Sequence, residues 1–195
     1  MTVGTSARRP STLVAGDAVR WVAGASLVVG TALYGTVGAA LLSLVLLGAV
    51  VPRALGLHGV HDPVLGLVLS AAAWMGLLDL YAAVPWLDLA VHLVATGVLA
   101  DLAWRTLVRV GAVASPRPAQ VSGADPSTPA RPALGIVVVT TALGVMLAVL
   151  WELGEWAGAT FVDGSINVGY TDTLGDLAAG GVGALVAGVL LARRS

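Results

Sequence analysis

The chain has 195 residues, 57% of them hydrophobic and only 11% charged, with a formal net charge of -1 and a mean hydropathy of +0.92. Soluble domains carry about 25% charged residues, so the composition excludes an ordinary soluble domain and predicts an all-α, polytopic bundle of transmembrane helices forming one domain. All ten basic side chains are arginines and cysteine is absent, which excludes disulfides, thiolate ligands and thiol nucleophiles.

Residues 1–16 read as a flexible tail. Arg8 and Arg9 are followed by Pro10, Asp17 and Arg20. The apolar region after Trp21 is too long for a signal-peptide core of about 7–15 residues. Apolar runs then fall at 21–52, 64–84, 86–110, 133–160 and 173–192, most of them suited to a span of about 20 residues. The first would make a helix of roughly 48 Å if straight, against a hydrocarbon core of about 30 Å. Two helices turning near Tyr34-Gly35-Thr36 fit it better.

The arginines decide between five helices and six. With six, Arg8, Arg9, Arg20, Arg53, Arg105, Arg109, Arg117, Arg131, Arg193 and Arg194 all fall on the inner side and the outer loops receive none, as positive-inside segregation requires. The predicted helices are 18–34, 36–52, 63–82, 85–110, 133–160 and 172–192, with both termini inside. Residues 17–111 hold helices one to four and 133–195 the last two. Trp86 and Trp156 are expected at the outer interface, Trp21 and Trp104 at the inner one. Segment 112–132, with Pro116, Pro118, Pro126, Pro129 and Pro132, reads as a disordered cytoplasmic linker. Its two arginines are too few for a nucleic-acid arm. The last helix carries Gly175, Ala179, Gly183 and Ala187 on one stripe and Gly180, Ala184 and Gly188 on the next. Small residues at this spacing suit close helix packing; a homo-oligomer through that face is the alternative use.

Acids in apolar helices are costly and mark functional positions. Asp88 and His92 are spaced i,i+4, Glu152 and Glu155 i,i+3, and Asp172 and Asp176 i,i+4, so each pair shares a helix face. On the six-helix topology His92 lies roughly 10 Å, Glu152 roughly 9–12 Å and Asp176 roughly 6 Å below the outer helix ends. The three pairs thus form one layer, with Asp79 as a further candidate member. No arginine reaches it. Such a layer holds either protonated acids or a cation, and carboxylates with an imidazole suit a divalent Mg, Mn, Fe or Zn ion. The predicted metal ligands are Asp88, His92, Glu152, Glu155, Asp172 and Asp176, with Glu152 and Glu155 as the catalytic pair.

Blander readings compete. Asp88 and Asp172 lie near helix N-termini, where acids cap the helix and complement its dipole. Asp101 and Arg105 form an i,i+4 pair. Asp17, Asp62, His58 and His61 read as solvated inner-loop residues. Ser26, Ser43 and Ser70 are isolated in apolar helices, where hydroxyls return to the backbone. No nucleophilic triad, phosphate loop or dinucleotide fingerprint occurs.

Val51-Pro52-Arg53, Asp79-Leu80-Tyr81, Pro85-Trp86-Leu87-Asp88 with His92 and Gly97, Trp151-Glu152 with Glu155-Trp156, and Thr171-Asp172 with Asp176 occur in this order. Over residues 50–190 the pattern resembles the bacterial YjdF-like inner-membrane proteins. It is more loosely similar to VanZ-like proteins, although the glutamine and arginine of that pattern are missing. The first resemblance implies a small multi-pass protein of the bacterial cytoplasmic membrane and puts weight on the six acid and histidine positions. It supplies no activity. The Pro-rich 112–132 segment and the short 161–170 region depart from it. Three functions remain open: a metal-dependent enzyme acting on a lipid or lipid-linked substrate, a cation or proton translocator, and a non-catalytic membrane scaffold.

Overall fold

Gly35 lies midway along the longest apolar stretch, with φ 58° and ψ -135°, a combination that glycine tolerates and side-chain-bearing residues avoid. A computed structural model describes residues 15–57, 59–113, 132–166 and 168–194. Among them are six helices, α1 (Ala15–Ala54), α2 (His61–Leu77), α3 (Leu80–Ala83), α4 (Pro85–Arg109), α5 (Pro132–Phe161) and α6 (Tyr170–Arg194), and no strand. A straight helix of α1's 40 residues would be about 60 Å long. Instead the chain reverses at Gly35. Arg20 Nη1 donates to the Ala49 carbonyl at 3.1 Å. The backbones of Gly30 and Gly38 touch so closely that a Cβ on Gly38 would meet the Gly30 carbonyl. Ala23, Leu42, Val45 and Ala73 close a buried cluster between the two limbs and α2. The expected turn and the two expected helices around it are therefore present.

Four helices, α1, α4, α5 and α6, are long and apolar enough to cross a membrane. Both limbs of α1 pack along α2. Trp74 Nε1 donates to Ser26 Oγ at 3.1 Å, and Tyr34 meets Trp74 edge to face at 6.2 Å. Ser26 thus accepts from a tryptophan on another helix.

The expected third helix, 63–82, needs correction. It ends at Leu77, and Asp79 takes a left-handed φ of 57°, which aspartate tolerates better than most residues. The short α3 follows. Val84 is then extended, at φ -134° and ψ 87°, as the residue before a proline prefers.

Helices α4, α5 and α6 form a second sub-bundle. Glycines set its spacing. A Cβ on Gly183 would strike the Leu93 carbonyl, and one on Gly144 would stand 3.0 Å from Ala100 Cβ. Gly180, Gly183, Ala184 and Gly188 are all buried, so the small-residue face of α6 is occupied by α4 and α5. Trp104, Ile136 and Leu191 pack together at the far end. This corrects the placement of Trp104, which is 8% exposed and belongs to the core; Trp21, Trp86 and Trp156 are exposed as an aromatic belt requires. Helix α1 begins at Ala15, two residues inside the expected tail. Residues 1–14 and 114–131, which hold most of the tail and of the linker, lie outside the described residues.

Candidate functional site

Proline starts α4 at Pro85, where its missing N–H costs nothing. Two turns on, His92 points into the junction of α4, α5 and α6 and is buried. Helix α5 runs antiparallel to α4 and α6, bringing Glu152 level with His92 and Asp176. His92 Nε2 is 3.4 Å from Asp88 Oδ1 and 3.9 Å from Asp176 Oδ1, while Nδ1 is 3.8 Å from Glu152 Oε1. Asp88, His92 and Asp176 can each offer one ligand atom with all three atoms within 4.8 Å of one another. The same holds for His92, Glu152 and Glu155. His92 belongs to both sets.

Glu152 and Asp176 are buried, at 8% and 2% exposure. Glu152 Oε1 has no hydrogen-bond partner among the described residues, although the Thr173 hydroxyl lies beside this carboxyl. A buried carboxylate oxygen without a partner carries a large desolvation penalty. Glu155 is only half-buried, and its Oε1 accepts from Trp151 Nε1 at 2.9 Å. The ion pairs of Asp88, Glu152 and Asp176 described here all run to His92. A second acid reaches the same imidazole edge as Asp88, so the Asp88 side chain does more than complement the helix dipole. The N-cap residue of α4 is Val84, without a side-chain cap.

Five of the six expected ligands therefore converge. Asp172 stands in the first turn of α6, suited to the dipole, and falls outside both ligand sets. Asp79 is exposed on the turn before α3 and does not join the layer. Tyr81, part of the Asp79-Leu80-Tyr81 motif but not an expected site residue, lies within electrostatic range of Asp88, Glu155 and Asp176, with its hydroxyl donating to the Ala72 carbonyl at 2.8 Å. In the loop beyond α5, the Ser165 N–H and hydroxyl both donate to Asp163 Oδ1, holding that carboxyl below its ordinary range.

A family described as a predicted membrane protein (DUF2238) matches residues 14–195. The chain belongs to this family. Neither the curated proteins nor the solved structures contain a match. The DUF2238 match spans every helix and the whole acid–histidine layer. The looser VanZ-like resemblance gains no support.

The opposite end of this DUF2238 protein corrects another expectation. Asp62 is 4% exposed and is no solvated loop residue. Arg20 Nη1 binds Asp62 Oδ1 at 2.6 Å and Nη2 binds Asp17 Oδ1 at 2.7 Å, with Arg53 Nε 3.8 Å from Asp17. Gly16 leaves the space that Asp62 fills. His61 also has a partner, Asp101 Oδ2 at 3.2 Å. The expected Asp101–Arg105 pair is present at 2.7 Å. His58 lies outside the described residues. The only sequence signal for the Asp62 network was an arginine inside an apolar helix, three residues after Asp17.

Proposed function

We propose that this membrane protein is a metal-dependent enzyme acting on a lipid or lipid-linked substrate, with a divalent cation held between α4, α5 and α6. The observation that carries the reading is Glu152 Oε1, buried, without a hydrogen-bond partner, and aimed at His92 from 3.8 Å. A cation bound by both would offset that desolvation. Small divalent ions bind oxygen and nitrogen at about 2.1 Å and hold opposite ligands about 4.2 Å apart. The 4.8 Å limit of the two ligand sets asks for only a small contraction. Mg, Mn, Fe and Zn all suit this donor set.

In this reading His92 Nδ1 and Glu152 hold the ion, with Glu155 beside them, and Asp88 and Asp176 orient the ring from its Nε2 edge. Half-buried Glu155 would serve as general base, and a bound ion would polarise a phosphoryl or carbonyl oxygen. Asp172 supplies charge from beyond the ligand sets. The exposed Trp86 and Trp156 support a membrane interface at this end of the bundle. The described arginines, Arg20, Arg53, Arg105, Arg109, Arg193 and Arg194, gather at the other end. This favours a cytoplasmic N- and C-terminus, an outer-half site and the bacterial inner membrane. Kinship with the YjdF-like proteins accords with the family match, and the 112–132 segment serves as the cytoplasmic linker between α4 and α5.

Translocation is the weaker reading. Below Thr96 the α4–α5–α6 interface is closed by Ala100, Gly144 and Ala184, then by Trp104, Ile136 and Leu191. Asp101 is held by Arg105 and His61. A scaffold role would leave Glu152 Oε1 with the His92 imidazole at 3.8 Å and no hydrogen bond. The test is metal analysis of the full chain purified in lipid nanodiscs. Wild type should carry a stoichiometric divalent ion, and Glu152→Gln should lose it while still folding. A metal-free wild-type protein that cannot be loaded, or equal metal in wild type and Glu152→Gln, overturns the proposal.

A further inference from the structure

A cavity of about 130 Å³ lies at the arginine-rich end of the bundle, lined among others by Pro52, Gly56, His61, Asp101 and Arg105. It sits in the seam where the α1–α2 sub-bundle meets α4, far from the acid–histidine layer. Its lining comes from the C-terminal end of α1 and the turn after it, the first turns of α2, and the inner part of α4.

Within the lining Arg105 and Asp101 balance in formal charge, and His61 adds an imidazole. Arg105 binds Asp101 through Nε and Nη2, leaving Nη1 outside that pair. His61 turns Nδ1 to Asp101 at 3.2 Å, leaving Nε2 outside it. Asp101 thus balances Arg105 and orients both that guanidinium and the His61 imidazole. A second guanidinium stands beside the cavity, with Arg109 Nη2 3.7 Å from where a Cβ on Gly56 would lie. Gly56 has φ 66°, so a larger residue there would strain the turn and crowd that arginine. His61 is also the first residue of α2, a 17-residue helix whose dipole favours an anion at that end, although Pro63 has no N–H and the Asp62 and Val64 N–H groups already bond the Gly59 and Val60 carbonyls. Asp62, the acid of that first turn, is turned away and bound to Arg20.

We propose that this seam cavity binds the phosphate group of an anionic ligand, gripped by Arg105, Arg109 and His61. Two sources present that group at this depth: the headgroup of an anionic phospholipid in the same leaflet, which basic pockets between membrane helices accept, and a soluble phosphate. Either one bridges α2 and α4 and tightens the seam. The site is independent of the metal reading.

The experiment uses the full chain in two arms. In the lipid arm, native mass spectrometry follows retention of phosphatidylglycerol against phosphatidylcholine. In the soluble arm, inorganic phosphate is titrated onto protein in phosphatidylcholine nanodiscs and the thermal midpoint is read. Preferential retention of phosphatidylglycerol, or a saturable upward shift with phosphate, is the expected result and separates the two sources. Arg109→Gln, which removes no ion pair found among the described residues, should weaken the effective arm about tenfold. The charge-neutral pair Asp101→Asn with Arg105→Gln should do the same. Glu152→Gln should leave both arms unchanged. Equal retention of the two lipids together with no phosphate shift overturns the proposal, as does undiminished binding in both arginine variants.

Discussion

His92 and Glu152 sit on antiparallel helices 60 positions apart, and their Nδ1 and Oε1 atoms lie 3.8 Å from each other. The other imidazole nitrogen faces Asp88 at 3.4 Å and Asp176 at 3.9 Å. One ring therefore joins two ligand sets. His92→Ala should abolish metal retention altogether. Asp176→Asn removes a single oxygen and should weaken it by about 10- to 100-fold, the usual range for disturbing a ligand's surroundings. Asp172→Asn, outside both sets, should weaken it less than Asp176→Asn. Equilibrium dialysis with a coloured metal competitor gives the ranking. An Asp172 effect larger than that of Asp176 would place the ion elsewhere.

Metal binding here should depend on pH with a definite sign. The imidazole must be neutral and the carboxylates ionised to act as ligands, so binding expels protons. Affinity should rise as pH rises and fall in acid. Calorimetric titrations in two buffers of different ionisation heat count the protons released. A pH-independent affinity with no proton release would exclude direct ligation by these groups.

Much of the fold follows from local pattern, and the remainder was hidden for physical reasons. The bounds of α4, α5 and α6 lie close to the apolar runs because proline opens α4 and α5 and polar or charged residues close all three. The i,i+4 and i,i+3 acid pairs mark faces that do converge, because alternating helix directions bring them level. The end of α2 at Leu77 was not legible, since Leu78, Leu80 and Tyr81 continue the apolar pattern while one backbone angle at Asp79 breaks the helix. Arg20 and Asp62 pair across 42 positions, a tertiary contact that no local spacing encodes. Trp104 reads as an interfacial residue by depth alone, and only the direction of its helix face turns it inward.

Gly183 should be among the least replaceable glycines. Its missing Cβ would run into the Leu93 backbone carbonyl, which cannot swing away as a side chain can. Gly183→Ala should cost about 1–3 kcal/mol through overpacking. Gly24→Ala is the internal control. Nothing lies within 4 Å of its added Cβ, and alanine favours the helix over glycine by about 1 kcal/mol. Thermal midpoints in one detergent should therefore move in opposite directions. Equal midpoints for the two variants would mean that α4 and α6 do not approach this closely.

The Arg20–Asp62 pair should matter for stability although it lies far from the metal site. Its side chains are 13% and 3% exposed. Removing one partner of a buried pair costs about 3–5 kcal/mol. Asp62→Ala leaves Arg20 with Asp17 and the Ala49 carbonyl and should fall near the lower end of that range. Replacing Arg20 and Asp62 together by leucine should cost less, because no charge is left stranded. Denaturant unfolding of Arg20→Leu, Asp62→Leu and the double variant measures the coupling. Additive losses would show the two residues acting separately.

The reversal at Gly35 makes a topological prediction that the absence of native cysteine renders clean. Thr36 and Ala54 are both exposed and stand at opposite ends of the second limb of α1. If the arginine-rich end is cytoplasmic, a cysteine at position 36 should react with an impermeant maleimide added outside intact cells. A cysteine at position 54 should react only after lysis. Gly35→Ala forces a Cβ into φ 58°, ψ -135°, a strain of about 1–3 kcal/mol, and should lower stability without inverting this pattern. Outside labelling at 54 with protection at 36 would invert the orientation and move the acid–histidine layer to the cytoplasmic half. Outside labelling of both positions would contradict a membrane-crossing second limb.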